Sequence, residues 1–262
     1  MQRRFNNYFP SPEHCFKDIT ERLLETDKIF GCYYSFDPCK EHDLLTKAIF
    51  DMSWYPKTAW KGGEELPWGT FLIEAVFPER LYGAAGHSLS NMLKDKRLYD
   101  CPSATSKATN HSHFGRMCRD RDVFKGTGYN SYMQYAIDRW SRGNHRSMPH
   151  YYFDVESPEW MFEELFRNKN QIKSGRTATS CSTNFSFRYD TQMKATHVYQ
   201  ILKHSQYSHI FGDLCGTAAL ARAFCKEVRV SIDNCFCHVF AVSVSMDGRK
   251  EGKAFLENLG AR

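Results

Sequence analysis

Cys181 stands in the segment Ala178-Thr179-Ser180-Cys181-Ser182-Thr183, among small polar residues and close to Arg176. A thiolate is the reactive form of cysteine, and a nearby guanidinium favours it, so this is a plausible nucleophile. The plainer reading is that Cys181 is one of ten cysteines, most of them buried thiols. Cys235-x-Cys237-His238 offers metal-ligand types at a second place. Zinc usually takes two pairs, each spaced by about two to four residues, and here the gap is one residue with only His111 and His113 as remote partners. A cysteine pair on a core strand is the simpler reading, and no metal is expected. The stretch Arg116 to Arg121, with Lys107, His111 and His113 before it, is basic enough to touch phosphate or a nucleic-acid backbone. A solvated loop is the reading that accounts for it best.

These residues need elements to hold them. Phe16, Ile19, Leu23 and Leu24 recur at helical spacing behind Ser11-Pro12, which predicts a helix over 13–29. A second helix is expected from about Asp43 to Trp54, a loop over 55–69, and a third helix from Thr70 to Phe77, stopped by Pro78. The polar stretch 100–128 reads as a long functional loop. Tyr129 to Trp140 is amphipathic, with Met133, Ile137 and Trp140 on one side. A short strand is expected at Tyr151 to Val155, a helix at Glu159 to Phe166 and a loop at Ser174 to Thr179. Phe185, Phe187 and Tyr189 then alternate at strand period, and Thr196 to Leu202 predicts the other arm of a hairpin turning over Asp190 to Lys194. Phe211 to Val228 reads as a helix of small residues, and Val239 to Val244 as a last strand.

Cysteine, hairpin, helix and histidine thus follow in a fixed order, and several segments resemble one family. Cys181-Ser182-Thr183-Asn184-Phe185-Ser186-Phe187 is similar to the nucleophile segment of thymidylate synthases and deoxycytidylate hydroxymethylases. Val198-Tyr199-Gln200 resembles the strand leading to that family's phosphate-binding arginine and serine. Ile210-Phe211-Gly212 resembles the step that opens its central helix, and Cys237-His238-Val239-Phe240 its late His-x-Tyr element. Ile73-Glu74-Ala75-Val76-Phe77 resembles the helix of the catalytic glutamate, and Ser112-His113-Phe114-Gly115-Arg116 the Tyr-Gly loop. Gln134 to Arg146 resembles the helix and basic turn before the nucleophile.

The resemblance implies an α+β fold: a thymidylate synthase-like mixed sheet covered by helices, in one domain over 1–262, with 1–100 a divergent helical part. It implies one-carbon transfer to C5 of a pyrimidine nucleotide, with 5,10-methylenetetrahydrofolate as donor. Cys181 would add to C6, Glu74 would hold the water that moves protons, and His238 would orient a sugar hydroxyl. Substrate contacts would fall on Arg176, Lys203, Ser205, Gln206, Gly212 and Gly216. A homodimer would bring Arg146 or Arg142 from the partner to the phosphate, which suits the planar guanidinium.

The chain departs from the family pattern where the pocket should be. Counting back from Phe211-Gly212, the phosphate arginine and its serine fall at Ser205 and Gln206, and the following aspartate at Ser208. The base-reading position falls at Gly216, which has no amide, and the late tyrosine is Phe240. A fold kept as a structural or interaction protein is therefore the rival expectation.

Bulk properties narrow the class. Hydrophobic residues at 42% and charged residues at 25% are globular values and argue against disorder. Aromatics at 15% fill a core or line a cleft. The net charge of +5 suits an anionic ligand without demanding one. No run reaches the roughly 18 apolar residues of a membrane helix, and Met1 to Pro12 lacks the apolar stretch of an export signal. A cytoplasmic protein with free thiols is expected.

Overall fold

The computed structural model describes residues 7–39, 47–49, 58–59, 65–66, 68–95, 126, 128–129, 131–143, 151–154 and 182–260. Strand β1 (Tyr8–Phe9) leads into helix α1 (Pro12–Thr26). Pro12 sits at the helix start, where its missing N–H costs nothing. Cys15, Phe16, Ile19, Thr20 and Leu23 form its buried stripe, and a left-handed Asp27 ends it by donating its N–H to Leu23 O. The helix therefore stops before the strand β2 (Lys28–Phe36), shorter than the spacing alone predicts.

A two-stranded hairpin follows, β3 (Thr58–Ala59) with β4 (Glu65–Leu66), inside the stretch expected as loop. Helices α2 (Trp68–Val76), α3 (Glu79–Ala84) and α4 (Leu89–Met92) come next, with Pro78 between α2 and α3 as expected. Helix α5 (Tyr132–Ser141) is capped by the Ser131 hydroxyl, which accepts the Gln134 N–H, and it buries Met133, Ile137 and Trp140. Strand β5 (Tyr151–Asp154) is followed by the hairpin β6 (Ser182–Asp190) and β7 (Ala195–Leu202), which turns over 191–194 as the alternation predicts. Then come β8 (Ser205–Gln206), the long helix α6 (Tyr207–Glu227), β9 (Cys235–Ser245) and α7 (Arg249–Gly260). The helix expected at 43–54 is described only at 47–49, and those at 159–166 and the loops at 100–128 and 174–179 lie largely or wholly outside the described residues.

The main sheet is mixed, in the order β1-β2-β9-β7-β6-β5, with β8 also paired to β9. β9 lies at its centre, antiparallel to β2 and parallel to β7 and β8. Residues 7–36, within the part expected to be helical, thus contribute two strands to the sheet.

A kink crosses the three middle strands. Leu202 and Ser205 are both buried, as are Ala241 and Val244, and Ile29 and Cys32. Each pair is three residues apart, where simple alternation needs two or four. The register aligns them, Leu202 and Cys32 with Ala241, Ser205 and Ile29 with Val244. One extra residue per strand, at Lys203-His204, Val242-Ser243 and Phe30-Gly31, therefore falls on one line, and Gly31 supplies the left-handed conformation (φ +61°) this takes in β2.

Helix α6 covers one face of the sheet: the Cys237 thiol meets Thr217 O at 3.8 Å, and Phe224 stacks on Phe187 with centroids 4.1 Å apart. Helix α1 packs on α6 through Phe16, stacked on Tyr207 at 5.0 Å. Helix α2 crosses α6 so closely that no side chain fits between them. A Cβ on Gly212 would lie 2.4 Å from Leu72 Cβ, and one on Gly216 2.4 Å from Val76 Cβ. The opposite face of the sheet leaves Phe30, Ile201, Phe240 and Val242 exposed.

Candidate functional site

Glu74 lies on α2 one turn before Pro78, and only 4% of it is exposed. Its Oε1 accepts the N–H of Arg80, in the first turn of α3, at 2.8 Å. Burial pushes its carboxyl up to about 7, against that hydrogen bond and with Glu79 adding to the rise. Helix α2 is pinned on α6 at two points, so the carboxyl is held on rigid backbone. A carboxyl that titrates near neutrality can take and give a proton.

His238 sits mid-strand in β9, between Cys237 and Val239, which face α6, so its ring points from the other face. Its Nδ1 meets the hydroxyls of Tyr33 and Ser35, each at 2.8 Å, and its Nε2 meets Nδ1 of His197 at 2.8 Å. Tyr199 stacks on it with centroids 4.5 Å apart. Burial, helped by His197, pushes the His238 imidazole down to about 3, so it is neutral at ordinary pH. Burial likewise lowers His197, with Asp190 opposing and Arg188 assisting. Both nitrogens of His238 are engaged within the protein.

The expected pocket residues are dispersed. Glu74 belongs to the helical side of the sheet and His238 to the other. Ser205 is fully buried and donates from Oγ to Asp213 Oδ2 at 3.1 Å, whereas Lys203 and Gln206 are exposed. Gly212 and Gly216, expected at the substrate, face α2, where a Cβ on either would meet Leu72 or Val76. Phe240 is 37% exposed on the open face. Arg142 is exposed and paired with Asp138 of its own helix at 2.9 Å. Cys181, Arg176 and Arg146 lie outside the described residues, as do His111, His113 and the stretch 116–121. Thr183, two residues after Cys181, is the extra residue of a bulge in β6, since Ser182 pairs with Leu202 and Asn184 with Ile201.

Cys235 and Cys237 face α6 while His238 faces away, so the three cannot converge on one ion, and among the described residues no group of three ligands could hold a metal. All seven described cysteines are free. No described helix is long and apolar enough to cross a membrane.

Sequence reading missed Tyr33, Ser35, His197 and Asp213 as members of these networks and took Tyr199 only as part of a strand. His197 and Tyr199 flank Val198 at strand period, which places both on one face. Asp213 is a lone acid in an otherwise small and apolar stretch, and it proves fully enclosed.

The chain is thus an α+β protein with a mixed sheet, covered by helices on one face and partly open on the other. No protein-family model matches it, and no curated protein matches it. Among solved structures it is similar to the crystal structure of thymidylate synthase from T4 phage, at 13% identity and a TM-score of 0.43, over 89% of this chain and 75% of that one.

Proposed function

We propose that the chain is a divergent one-carbon transferase acting at C5 of a pyrimidine nucleotide other than deoxyuridylate, with Cys181 as nucleophile and Glu74 as the proton-handling carboxyl. The observation that carries this reading is Glu74: buried, titrating near 7, and held by a backbone amide. Among the described residues Glu74 has no ion pair, only the charge of Arg80 in its neighbourhood, and a carboxyl buried in this way costs stability that functional sites are known to carry. The motif around Cys181 supplies the second group. Cys181 would add to C6 of the base and make C5 nucleophilic, while Glu74 moves protons through bound water. The folate, 5,10-methylenetetrahydrofolate, would supply the one-carbon unit, and Glu74 is the described residue whose chemistry suits that reaction. His238 fits this reading poorly, because a sugar hydroxyl would have to displace Tyr33, Ser35 or His197 from its ring. Ser205, Gly212 and Gly216 leave the phosphate and base to other residues, which is why a different substrate is proposed.

The homodimer belongs to the same reading. Phe30, Ile201, Phe240 and Val242 form the apolar part of the open sheet face that a second copy would cover.

The rival reading is a non-catalytic interaction protein on the same fold. It is favoured by Val76 in the space beside Gly216 and by Ser205 turned inward to Asp213. Incubation with 5-fluoropyrimidine nucleotides and methylenetetrahydrofolate separates the two. The transferase reading expects a covalent adduct located on Cys181 by peptide mass spectrometry, and the rival expects none with any nucleotide. A nucleic-acid binder would instead show steeply salt-dependent binding.

A further inference from the structure

Four polar side chains are enclosed between α6 and the sheet. Asp213 and Thr217, one turn apart on α6, clasp Gln200 of β7: Gln200 Nε2 donates to Asp213 Oδ1 at 3.4 Å, and Thr217 Oγ1 donates to Gln200 Oε1 at 2.6 Å. Ser205 of β8 donates to the other carboxyl oxygen of Asp213 at 3.1 Å, and its Oγ also lies 3.4 Å from Gln206 O. Gln200, Ser205 and Thr217 are completely buried and Asp213 is 4% exposed. Gln200 precedes the kink at Lys203-His204 and Ser205 follows it. One carboxyl therefore ties together the two sides of the kink in the β7–β8 line.

We propose that Asp213, Ser205 and Gln200 form a proton-operated latch that sets the position of Lys203 to Gln206 at the sheet kink. The latch has two hydrogen-bonded states. With the carboxylate ionised, Ser205 and Gln200 both donate to it. With Oδ2 protonated, Asp213 donates to Ser205 Oγ, and the serine proton turns to Gln206 O. The proton comes from solvent and returns to it. The Asp213–Ser205 bond tethers β8 to α6 in both states, but only in the second is the serine proton given wholly to Gln206 O within β8, so the segment after the kink is held differently in each.

The titration of the carboxyl suits this. Burial pushes Asp213 up to about 7, against the Ser205 and Gln200 hydrogen bonds. The elements packed around this part of α6 bring other titratable groups, but these have partners elsewhere. Glu74 of α2 takes the Arg80 amide, and His204 at the kink meets Ser243 at 2.8 Å and Ser245 at 3.3 Å. His209 of α6 lies 2.9 Å from the Ser208 hydroxyl, which Asp247 binds, and Tyr207 meets Thr20 of α1. Cys237 of β9 points to Thr217 O, and Cys15 of α1 and Cys215 of α6 influence each other. The latch requires no nucleotide and stands apart from the transferase reading.

The test uses the full chain in NMR across about pH 6 to 8, the range in which a carboxyl near 7 changes state. The Asp213 side-chain carbon is expected to titrate there. Amide protection of Lys203 to Gln206, corrected for intrinsic exchange, is expected to change about tenfold over the same range, as one coupled proton requires. Asp213→Asn should abolish the pH response. Ser205→Ala leaves the carboxyl in place and guards against a variant that does not fold: it should keep the Asp213 titration and lose the response of the segment. A carboxyl that does not titrate in this range, or an unchanged response in both variants, overturns the latch.

Discussion

Glu74 is a carboxyl that burial keeps close to half-protonated at neutral pH, and this has two consequences. The first, on the proposed transferase reading, is catalytic. Glu74→Gln keeps the shape and an acceptor for the Arg80 amide but cannot exchange a proton, so transferase activity should fall by about 10²- to 10⁴-fold, read as kcat. The second concerns stability. Glu74 and Asp213 both titrate near 7 in the fold, against about 4 in an unfolded chain. The folded state therefore binds these protons more tightly. Its extra stability is complete below about pH 4, fades as pH rises, and is gone above about pH 7. The lowered imidazoles of His238, His197 and His209 act in the opposite sense as pH falls below about 6.5, so the carboxyl share is read in urea unfolding as the difference in slope between the parent and a variant lacking the carboxyl. Asp213→Asn should flatten part of that slope. An Asp213→Asn slope identical to the parent's would mean that Asp213 is not raised.

The crossing of α2 over α6 is the element that positions Glu74. Gly212 and Gly216 let the helices touch backbone to side chain, so Gly216→Ala drives a methyl into Val76. The variant should lose about 1–3 kcal/mol in chemical denaturation, and Val76→Ala in the same chain should recover much of it. Restoring an amide with Gly216→Asn should destabilise the crossing and create no base-reading group. The hairpin was legible in the sequence because Phe185 and Phe187 alternate cleanly with less buried neighbours and turn residues follow, although residues 195–198 of its second strand are all buried. Strand β2 was not, for a physical reason: Gly31 shifts its phase, so Ile29 and Cys32 both point inward and Ser35 is a buried polar residue. The start of α6 at Tyr207 was also hidden, since its first turn is held by Asp247, which accepts the Ser208 N–H at 2.9 Å from 39 residues away. The bodies of α1, α2, α5 and α6 could be read from local pattern, Glu74 only through the family resemblance, and α3, α4 and α7 were not expected. The sides of the sheet could not, because the positions of His238 and Ser205 depend on a register and a kink that only long-range pairing sets.

At the scale of the whole molecule, the sheet has one face buried under helices and one that exposes apolar side chains beside a buried histidine stack. If two copies close on that face, Phe240→Asp should yield monomers where the parent sediments as a dimer, with the helical circular-dichroism signal retained. A parent chain that sediments as a monomer at micromolar concentration would remove the dimer from the account. The central claim, however, is the chemistry of one sulfur. Intact-mass and peptide analysis after exposure to 5-fluorinated pyrimidine nucleotides with methylenetetrahydrofolate tests it most directly. The account predicts a ternary mass increase on Cys181 that Cys181→Ser eliminates and Glu74→Gln slows. Unmodified protein across uracil and cytosine nucleotides alike, or modification on another cysteine, would contradict it.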